Sequence, residues 1–377
     1  MSPRDPRAAL RRAKRIVVKI GSSTLTRDGV LRPRKFGELA SQVAILMDEG
    51  RQVVLVSSGA IAVGSRKLDW EGGGLTIPQM QAAAAVGQIG LIEHYQRRFA
   101  KSGRHVAQLL VTRTGLEDEE RYLNASHTLH ELLRLGVIPI VNENDTVATE
   151  EIRFGDNDNL SANIANMVDA DLLIILTDVD GLYVEAPVAG RPRPALIDRV
   201  EKITPEIRKA AQGAGSSFGR GGMITKLEAA ATAARSATTM VLCNGKPKDI
   251  LHRVVAGENV GTLFLPGARI SSRKHKLAFT NRTRGSLVLD DGASRALKKR
   301  RSLLPAGVVE VTGRFKMGDT VSCVDSQRHE IARGLVAYTS EEADRIKGLA
   351  THEIERVLGY SNGDALIHRK DLVILDA

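Results

Sequence analysis

The sequence predicts an α/β protein, a three-layer αβα sandwich with a mostly parallel central sheet, followed by a small, mainly β C-terminal domain. Three observations predict this fold. Short β-branched runs alternate with longer helical patterns over residues 1–265. The strand runs are almost continuously apolar, which is typical of strands buried on both faces. After Leu265 the alternation gives way to short strands separated by glycine turns.

The chain is long enough for two domains, because its 377 residues exceed what a single core usually supports. We assign residues 1–265 to a first domain, 266–283 to a linker and 284–372 to a second domain. Pro266-Gly267 and the basic stretch Arg269–Lys276 indicate the linker. The second domain has an ordinary domain size.

Each strand of the first domain is predicted from an apolar run, and each helix from apolar residues at helical spacing. The predicted strands are Arg15–Ile20, Gln52–Val56, His105–Val111, Val137–Val141, Asp171–Leu176 and Thr239–Leu242. The predicted helices are Arg34–Glu49, Ile77–Lys101, Arg121–Leu135, Leu160–Val168 and Thr225–Ser236. Strands and helices in this order imply right-handed parallel crossovers.

The second domain is predicted from shorter runs. Its predicted strands are Ser286–Leu289, Gly307–Val311, Thr320–Cys323, Ile331–Ala337 and Leu366–Ile367. Two helices, Ala293–Arg300 and Glu341–Leu349, interrupt them.

Charge and composition narrow the function class. The net charge is +10, and residues 266–377 hold 20 Lys/Arg against 14 Asp/Glu, so the excess is densest there. Such a balance favours anionic partners such as nucleotides or RNA. No apolar run approaches the roughly 20 residues of a membrane span, and the basic N-terminus lacks the apolar region of a signal peptide. We therefore expect a cytoplasmic protein with no membrane partner, in which Cys243 and Cys323 are buried free thiols.

Lys19 lies at the end of the first predicted strand and is followed by Gly21. A lysine there is costly to bury without an anionic partner, and a glycine lets the backbone approach a phosphate. A lysine that extends its ammonium to water is the competing interpretation.

Ser57-Ser58-Gly59 follows the second strand in the same way, and an anion-binding turn and an ordinary helix cap explain Ser58 equally well.

Two polar clusters flank one short loop. Asn142-Glu143-Asn144-Asp145 follows a strand, and Gly155-Asp156-Asn157-Asp158-Asn159 comes ten residues later. Such a density of acids and amides is poor helix or strand interior. Together these groups can hold the ammonium and carboxylate of an amino acid. Turn formation or calcium binding is the alternative, although the EF-hand spacing is absent; we interpret the pair as a substrate pocket.

Two further motifs lie where a nucleotide can bind. Thr177 and Asp178 follow the fifth strand, and a glycine-rich loop, Gly219–Lys226, enters a helix. Glycines allow close backbone approach, the helix N-terminus attracts phosphate, and Lys226 can neutralise developing charge. The chain contains neither a Walker A loop nor the protein kinase motifs.

In this order and spacing the clusters resemble the glutamate 5-kinases of the amino-acid kinase family. The residues that carry the resemblance are Val17–Ser22, Ser57–Ile61, Ala84–Gln88, Asn142–Asp145, Gly155–Ala162, Leu176–Asp178 and Gly221–Met223. The paired clusters around Asn142 and Asn157 are the most specific of these. The segments Leu303–Val308 and Val311–Phe315 are similar to a PUA domain.

The resemblance implies a role for each matched residue. The residues expected to contact ATP are Lys19, Gly21, Thr177, Asp178, Gly221, Gly222, Met223 and Lys226. Ser58, Asn142, Asp145 and Asn157 are expected to hold glutamate, while Asp158 organises the two catalytic lysines. ATP with Mg²⁺, feedback inhibition by proline, a homo-oligomer and a downstream glutamyl phosphate reductase are also implied, and no protein-held metal is expected.

The resemblance implies ATP-dependent phosphorylation of the γ-carboxylate of glutamate. This reaction needs no general base, because a carboxylate with a reference pKa of about 4.3 is already ionised at neutral pH. Catalysis then depends on positioning and on offsetting charge in the transferring phosphoryl group. Two alternatives remain open from the sequence. One is a kinase of the same fold that acts on another acid. The other is an RNA-binding protein acting through the second domain, whose basic run Lys298–Arg301 suits phosphate contact.

Overall fold

The structure is a computed structural model that describes residues 5–27, 30–70, 74–148, 157–185, 187, 190–212, 222–266 and 283–375. The chain divides into two compact units. The first comprises Met1–Glu117 and Asn124–Arg269, and the second comprises Asp118–Leu123 and Ile270–Ala377.

The first unit is built on an eight-stranded sheet. The strands of this unit are β1 (Arg15–Ile20), β2 (Thr26–Arg27), β3 (Val30–Leu31), β4 (Gln52–Ser57), β5 (Val106–Val111), β6 (Ile138–Glu143), β7 (Leu172–Thr177), β8 (Arg199–Val200), β9 (Thr239–Asn244) and β10 (Thr262–Phe264). The sheet order is β5-β6-β4-β1-β7-β9-β10-β8, while β2 and β3 form a separate hairpin. All pairings from β5 to β9 are parallel, whereas β10 runs antiparallel to β9.

Helices connect these strands. They are α1 (Ser22–Leu25), α2 (Pro33–Asp48), α3 (Ala60–Lys67), α4 (Ile77–Phe99), α5 (Arg113–Glu117), α6 (Glu119–Arg134), α7 (Asn157–Met167), α8 (Pro205–Gln212), α9 (Met223–Arg235) and α10 (Ile250–Val255). Short 3₁₀ turns cover Pro6–Arg12 and Ala100–Ser102. The prediction of an α/β domain with a mostly parallel sheet is confirmed.

The central strands are buried on both faces, as their apolar runs predict. Every residue of β7 is buried, and in β1 only Arg15 is partly exposed. Because side chains alternate between the two faces of a strand, such a strand needs apolar cover on both sides. Its carboxyl end is where polar groups become accessible.

Helices α3 and α4 meet at their backbones. A Cβ atom added to Gly64 would lie 1.7 Å from the carbonyl oxygen of Ala83, and one added to Gly87 would lie 1.9 Å from that of Ala60. Both positions therefore require glycine. The close approach sets the place of Gln88, the next residue of α4.

The second unit contains a five-stranded sheet. Its strands are β11 (Gly285–Leu289), β12 (Val308–Gly313), β13 (Thr320–Val324), β14 (Glu330–Leu335) and β15 (Leu372–Ile374), in the order β12-β11-β13-β14-β15. Its helices are α11 (Asp291–Lys298), α12 (Ser340–Ile346) and α13 (Ile354–Leu358), with 3₁₀ turns at Pro305–Gly307, Thr351–Glu353 and Arg369–Asp371. The prediction of a mainly β second domain is confirmed.

One predicted strand of this unit is wrong. Leu366 and Ile367 are buried, but Ile367 forms only an isolated antiparallel bridge with Leu303. The last strand is Leu372–Ile374, which pairs antiparallel with β14. Two apolar residues are too few to reveal a strand period, so pairing partners decide which short run joins the sheet.

Two smaller expectations can be checked here. Cys243 and Cys323 are free and buried, as predicted, and burial raises the pKa of each thiol to about 12. Among the residues described above, no helix combines the length and the hydropathy that a membrane span requires.

Candidate active site

Three buried charged side chains meet at the carboxyl end of the first unit's sheet. The Lys19 Nζ lies 2.8 Å from Asp158 Oδ1, and the Lys226 Nζ lies 3.1 Å from Asp158 Oδ2. The side chains of all three are at most a tenth exposed. Two ammonium groups contact one carboxylate, so this buried cluster carries one net positive charge. Such a cluster favours the approach of an anion.

Each member of this cluster comes from the end of a different element. Lys19 is the penultimate residue of the central strand β1, flanked by β4 and β7. Asp158 lies in the first turn of α7, where an acid is favoured by the helix dipole. Lys226 lies in the first turn of α9, close to its N-cap residue Gly222.

Thr225 completes the setting of the carboxylate. Its Oγ1 lies 2.9 Å from Asp158 Oδ2 and 2.8 Å from the carbonyl oxygen of Gly222, as a donor to either. This hydroxyl ties the start of α9 to α7. Sequence inspection missed Thr225, although it directly precedes Lys226 in the glycine-rich motif.

The protonation state of Asp158 follows from two opposing effects. Burial by itself raises the pKa of this carboxyl group, but the charges of Lys19 and Lys226 and their hydrogen bonds outweigh burial and hold the pKa well below its usual range. Asp158 is therefore a carboxylate at neutral pH. Its negative charge offsets the repulsion between the two ammonium groups that contact it.

An amide network lies beside the charged cluster. Asn157 Nδ2 lies 2.8 Å from the carbonyl oxygen of Ser57, 2.9 Å from Ser58 Oγ and 2.9 Å from Asn142 Oδ1. Asn142 Nδ2 in turn donates to Gln88 Oε1 at 2.9 Å. The network joins the ends of β4 and β6 to α7 and α4.

A cavity of about 260 Å³ adjoins this network. Its lining residues are Ala60, Ala84, Ala85, Gln88, Ile89, Ile92, Gln108, Leu110, Glu143, Asn144, Asp145 and Thr146. The wall combines alanine, isoleucine and leucine side chains with a few amides and acids, a mixture typical of small-molecule sites. Asp145 lines this cavity together with Gln88, and its role as a substrate ligand stays a prediction.

Tyr95 contacts the amide network through Ser57. Its hydroxyl lies 3.0 Å from Ser57 Oγ, and both residues are buried. Burial raises the pKa of Tyr95 well above its usual range, although the Ser57 hydroxyl partly opposes this effect. Nothing in the sequence motifs singled out Tyr95, because its partner lies on another element.

The predicted nucleotide residues lie along the adjacent strand ends. Gly21 follows β1 and donates its N–H to the carbonyl oxygen of Leu176 at 3.2 Å. The next residue, Thr177, is buried, and its Oγ1 lies 3.1 Å from Oδ1 of the exposed Asp178. Thr177 also pairs in register with Asn244 of β9.

The turn after Asp178 is held by its own contacts. Asp180 Oδ1 accepts a hydrogen bond from Asn244 Nδ2 at 2.8 Å, and its Oδ2 accepts one from the Tyr183 hydroxyl at 2.9 Å. The hydrogen bond from Asn244 is the main cause that lowers the pKa of Asp180, despite partial desolvation. Asp180 therefore positions this turn.

The glycine-rich loop is described only where it enters α9. Gly222 is the N-cap residue, and a Cβ atom added there would meet open space. Met223 is the first residue of the helix and is 7% exposed. Gly221, together with Gly155 of the loop before α7, lies outside the described residues.

Comparisons with known proteins bear on both units. The amino acid kinase family matches residues 14–244, and the PUA domain matches residues 285–358. The glutamate 5-kinase of Caldanaerobacter subterraneus subsp. tengcongensis is 49% identical over 365 residues, covering 96% of this chain and 98% of that protein. The glutamate 5-kinase of Geobacter sulfurreducens is 49% identical over 369 residues, covering 97% and 99%. The glutamate 5-kinase of Nitrosococcus oceani is 48% identical over 372 residues, covering 98% and 99%.

Proposed function

Because the chain belongs to the amino acid kinase family and, within it, to the glutamate 5-kinases, we propose that it phosphorylates the γ-carboxylate of L-glutamate with ATP. The product is L-glutamyl 5-phosphate, the first intermediate of proline biosynthesis. The observation that carries the proposal is the buried cluster of Lys19, Asp158 and Lys226 with its one net positive charge.

The chemistry is an in-line displacement. An oxygen of the glutamate γ-carboxylate attacks the γ-phosphorus of ATP, a new P–O bond forms, and the bond to the bridging oxygen breaks so that ADP leaves with the electron pair. No proton is transferred, because the nucleophile is already an anion at neutral pH. The difficulty is the repulsion between two anions.

Lys19 and Lys226 offset that repulsion. Asp158 fixes both ammonium groups in advance, so little reorganisation is needed when charge develops on the phosphoryl oxygens. The N-terminus of α9, with Gly222 and Met223, adds backbone N–H groups and a favourable dipole. Thr177 and Asp178, with Gly21, form the remaining contacts to ATP, and the contact expected of Gly221, which lies outside the described residues, stays a prediction.

The amide network holds the amino acid. Ser58, Asn142 and Asn157 supply hydroxyl and amide groups, and Asp145 supplies a carboxylate for the substrate's ammonium group. Holding the two substrates in position relative to each other then contributes a large part of the rate enhancement.

Magnesium is proposed to arrive with the nucleotide. Among the described residues no three His, Cys, Asp or Glu side chains group in a way that would hold a metal ion, and the oxygens of Asp158 already face Lys19 and Lys226. This donor set does not fit a protein-held ion. Mg²⁺ typically keeps waters and binds substrate phosphates, so it belongs to the ATP complex.

A substrate panel tests the proposal. ADP release is measured with ATP and Mg²⁺ in the presence of glutamate, aspartate, acetylglutamate or a nucleoside monophosphate. We expect glutamate to support turnover with a kcat/KM at least tenfold above the others. Comparable or better turnover with another acid would replace glutamate as the substrate while leaving the kinase chemistry in place.

Three accompanying proposals follow from the pathway. The acyl phosphate product is labile, so a reductase that consumes it is the natural next partner. Proline, the end product, is proposed as a feedback inhibitor, and added proline should lower turnover in the same assay. A homo-oligomer is proposed as the functional state, which light scattering of the full chain would test.

RNA binding by the second unit is a second candidate function. Lys298, Lys299, Arg300 and Arg301 are consecutive and exposed where α11 ends. Consecutive cations suit a phosphate backbone, although a solvated helix end favoured by the dipole has the same composition.

Titration of the full chain with a structured RNA at two salt concentrations tests this candidate. We expect affinity that falls with salt, and a smaller salt dependence for the double variant Lys299→Glu/Arg301→Glu. Binding without salt dependence, or binding unchanged in the double variant, would remove this surface as an RNA site.

A further inference from the structure

Gln88 carries a buried amide whose donor end has no partner within the part of the chain that the structure describes. The residue is 8% exposed, and its Nε2 is shielded from water. Leaving such a group without a hydrogen bond is costly, so a native structure that tolerates one usually has a reason.

The orientation of this amide is determined by its neighbours. The backbone N–H of Glu143 donates to one side-chain atom of Asn142 at 2.9 Å, so that atom is the oxygen Oδ1. The other terminal atom of Asn142 is then the donor Nδ2, and it lies 2.9 Å from Gln88. The contacting atom of Gln88 must be its oxygen, which leaves Nε2 as the group without an acceptor.

The chain of amides therefore has a direction. It begins with the backbone N–H of Glu143, which can only donate. This N–H donates to Asn142 Oδ1, and Asn142 Nδ2 donates in turn to Gln88 Oε1. Aligned amides polarise one another, which strengthens the last donor. The missing partner of Nε2 is an acceptor, and a carboxylate is the strongest acceptor available to a neutral amide.

The surroundings of Gln88 indicate which carboxylate of the substrate accepts a hydrogen bond from Nε2. Gln88 lines the cavity of about 260 Å³ together with Asp145. Lys19, Lys226 and Asp158 do not line this cavity. From the charged cluster, the route to Gln88 passes through Asn157 and then Asn142. The cavity lining thus contains an amide donor from Gln88 and a carboxylate from Asp145, a pair that matches the carboxylate and ammonium of an α-amino acid.

We propose that Gln88 is a specificity-determining residue that donates from Nε2 to the α-carboxylate of the amino-acid substrate. This inference rests on the proposed function and adds a residue to its substrate site. The cost of the unpartnered amide is relieved only when an α-carboxylate is present. Binding of an acid that lacks this group gains nothing from Gln88.

The test compares Gln88→Glu with the matched control Gln96→Glu. Both residues lie on α4, and both changes replace an amide by a carboxylate of the same shape, but Gln96 is exposed and does not line the cavity. In the Gln88 variant a donor becomes an anion facing the substrate's carboxylate. We expect the KM for glutamate to rise roughly 10- to 100-fold with kcat and the KM for ATP changed less than threefold. The control should raise the KM for glutamate less than fivefold.

A substrate with an α-amide in place of the α-carboxylate makes the test specific. The wild-type chain should prefer glutamate to this amide, whereas Gln88→Glu should lose that preference because its carboxylate can accept from the substrate amide. A merely structural role for Gln88 would weaken both substrates equally. Equal losses of affinity for both substrates, or an unchanged KM for glutamate, would overturn the inference about Gln88. If the wild-type chain still turned over glutamate, the proposed function would stand. A wild-type chain without glutamate-dependent turnover would overturn both.

Discussion

Asn157 and Asp158 are consecutive residues in the first turn of α7, yet their side chains enter different networks. Asn157 donates to Asn142 at 2.9 Å within the amide network, whereas Asp158 lies 2.8 Å from the ammonium of Lys19. One helix start therefore contributes to both the proposed amino-acid pocket and the cations proposed to bind phosphate. Under the proposed function, the spacing of Asn157 and Asp158 on one helical turn sets the distance between the two substrates.

Replacing Asp158 by Asn tests the charge of the cluster. The variant keeps the shape but leaves Lys19 and Lys226 as two buried cations without a counter-charge, so we expect a loss of about 3–5 kcal/mol in the free energy of unfolding and a fall in kcat of about 100-fold or more. Chemical denaturation and steady-state kinetics measure the two effects. Asp48→Asn, which removes an exposed ion pair with Arg104, is the control and should cost less than about 1 kcal/mol. Similar losses in both variants would contradict the buried-charge argument.

Lys19→Met and Lys226→Met separate catalysis from substrate binding. Each variant removes a cation that is proposed to act on the transferring phosphoryl group, so kcat should fall about 100-fold or more, while the KM for glutamate changes by less than about fivefold. Initial rates with glutamate varied at saturating ATP provide both values. Lys101→Met, at an exposed position after α4, should behave as the wild-type chain. Normal turnover in both cluster variants would refute the assignment.

The stability of the fold should depend on pH through Asp158. Its folded-state pKa lies below the unfolded value of about 3.9. The stabilisation is therefore fully present above that unfolded value and is lost as the pH falls toward the folded-state pKa. Thermal unfolding of the wild-type chain and of Asp158→Asn should differ most near neutral pH. The difference in melting temperature should begin to shrink below about pH 4, and a gap that widened with acid would contradict the sign of the pKa shift.

Gly87→Ala tests the contact between α3 and α4. The added methyl group would meet the backbone of Ala60, which cannot move as a side chain can, so we expect a loss of about 1–3 kcal/mol. Because Gln88 is the next residue, the KM for glutamate should rise as well. Gly90→Ala is the matched control on the same helix, since its methyl group would come close to the flexible end of Lys67 and would touch Val63 at an ordinary van der Waals distance. That variant should be neutral or slightly more stable; a Gly90 variant as damaged as the Gly87 variant would mean that helix backbone changes, rather than the contact, matter.

The sequence by itself determined the local elements and the polar residues that follow the strands. The predicted strand Arg15–Ile20 matches β1 residue for residue, and the other predicted strands of the first unit differ from β4, β5, β6, β7 and β9 by no more than two residues at either end. These patterns are readable because the periods of helices and of buried strands are local properties of a chain. The same holds for the polar residues at strand ends, since parallel sheets bring those ends together.

Only the tertiary structure decided which groups meet. The partnership of Asp158 with both lysines and with Thr225, the support of Ser57 by Tyr95 and the direction of the amides from Asn142 to Gln88 join residues from separate elements. The antiparallel edge strand β10 and the choice of Leu372–Ile374 over Leu366–Ile367 also depend on pairing across the sheet. Hydrogen-bond partners and strand register are set by which distant segments pack together, and no local period encodes them.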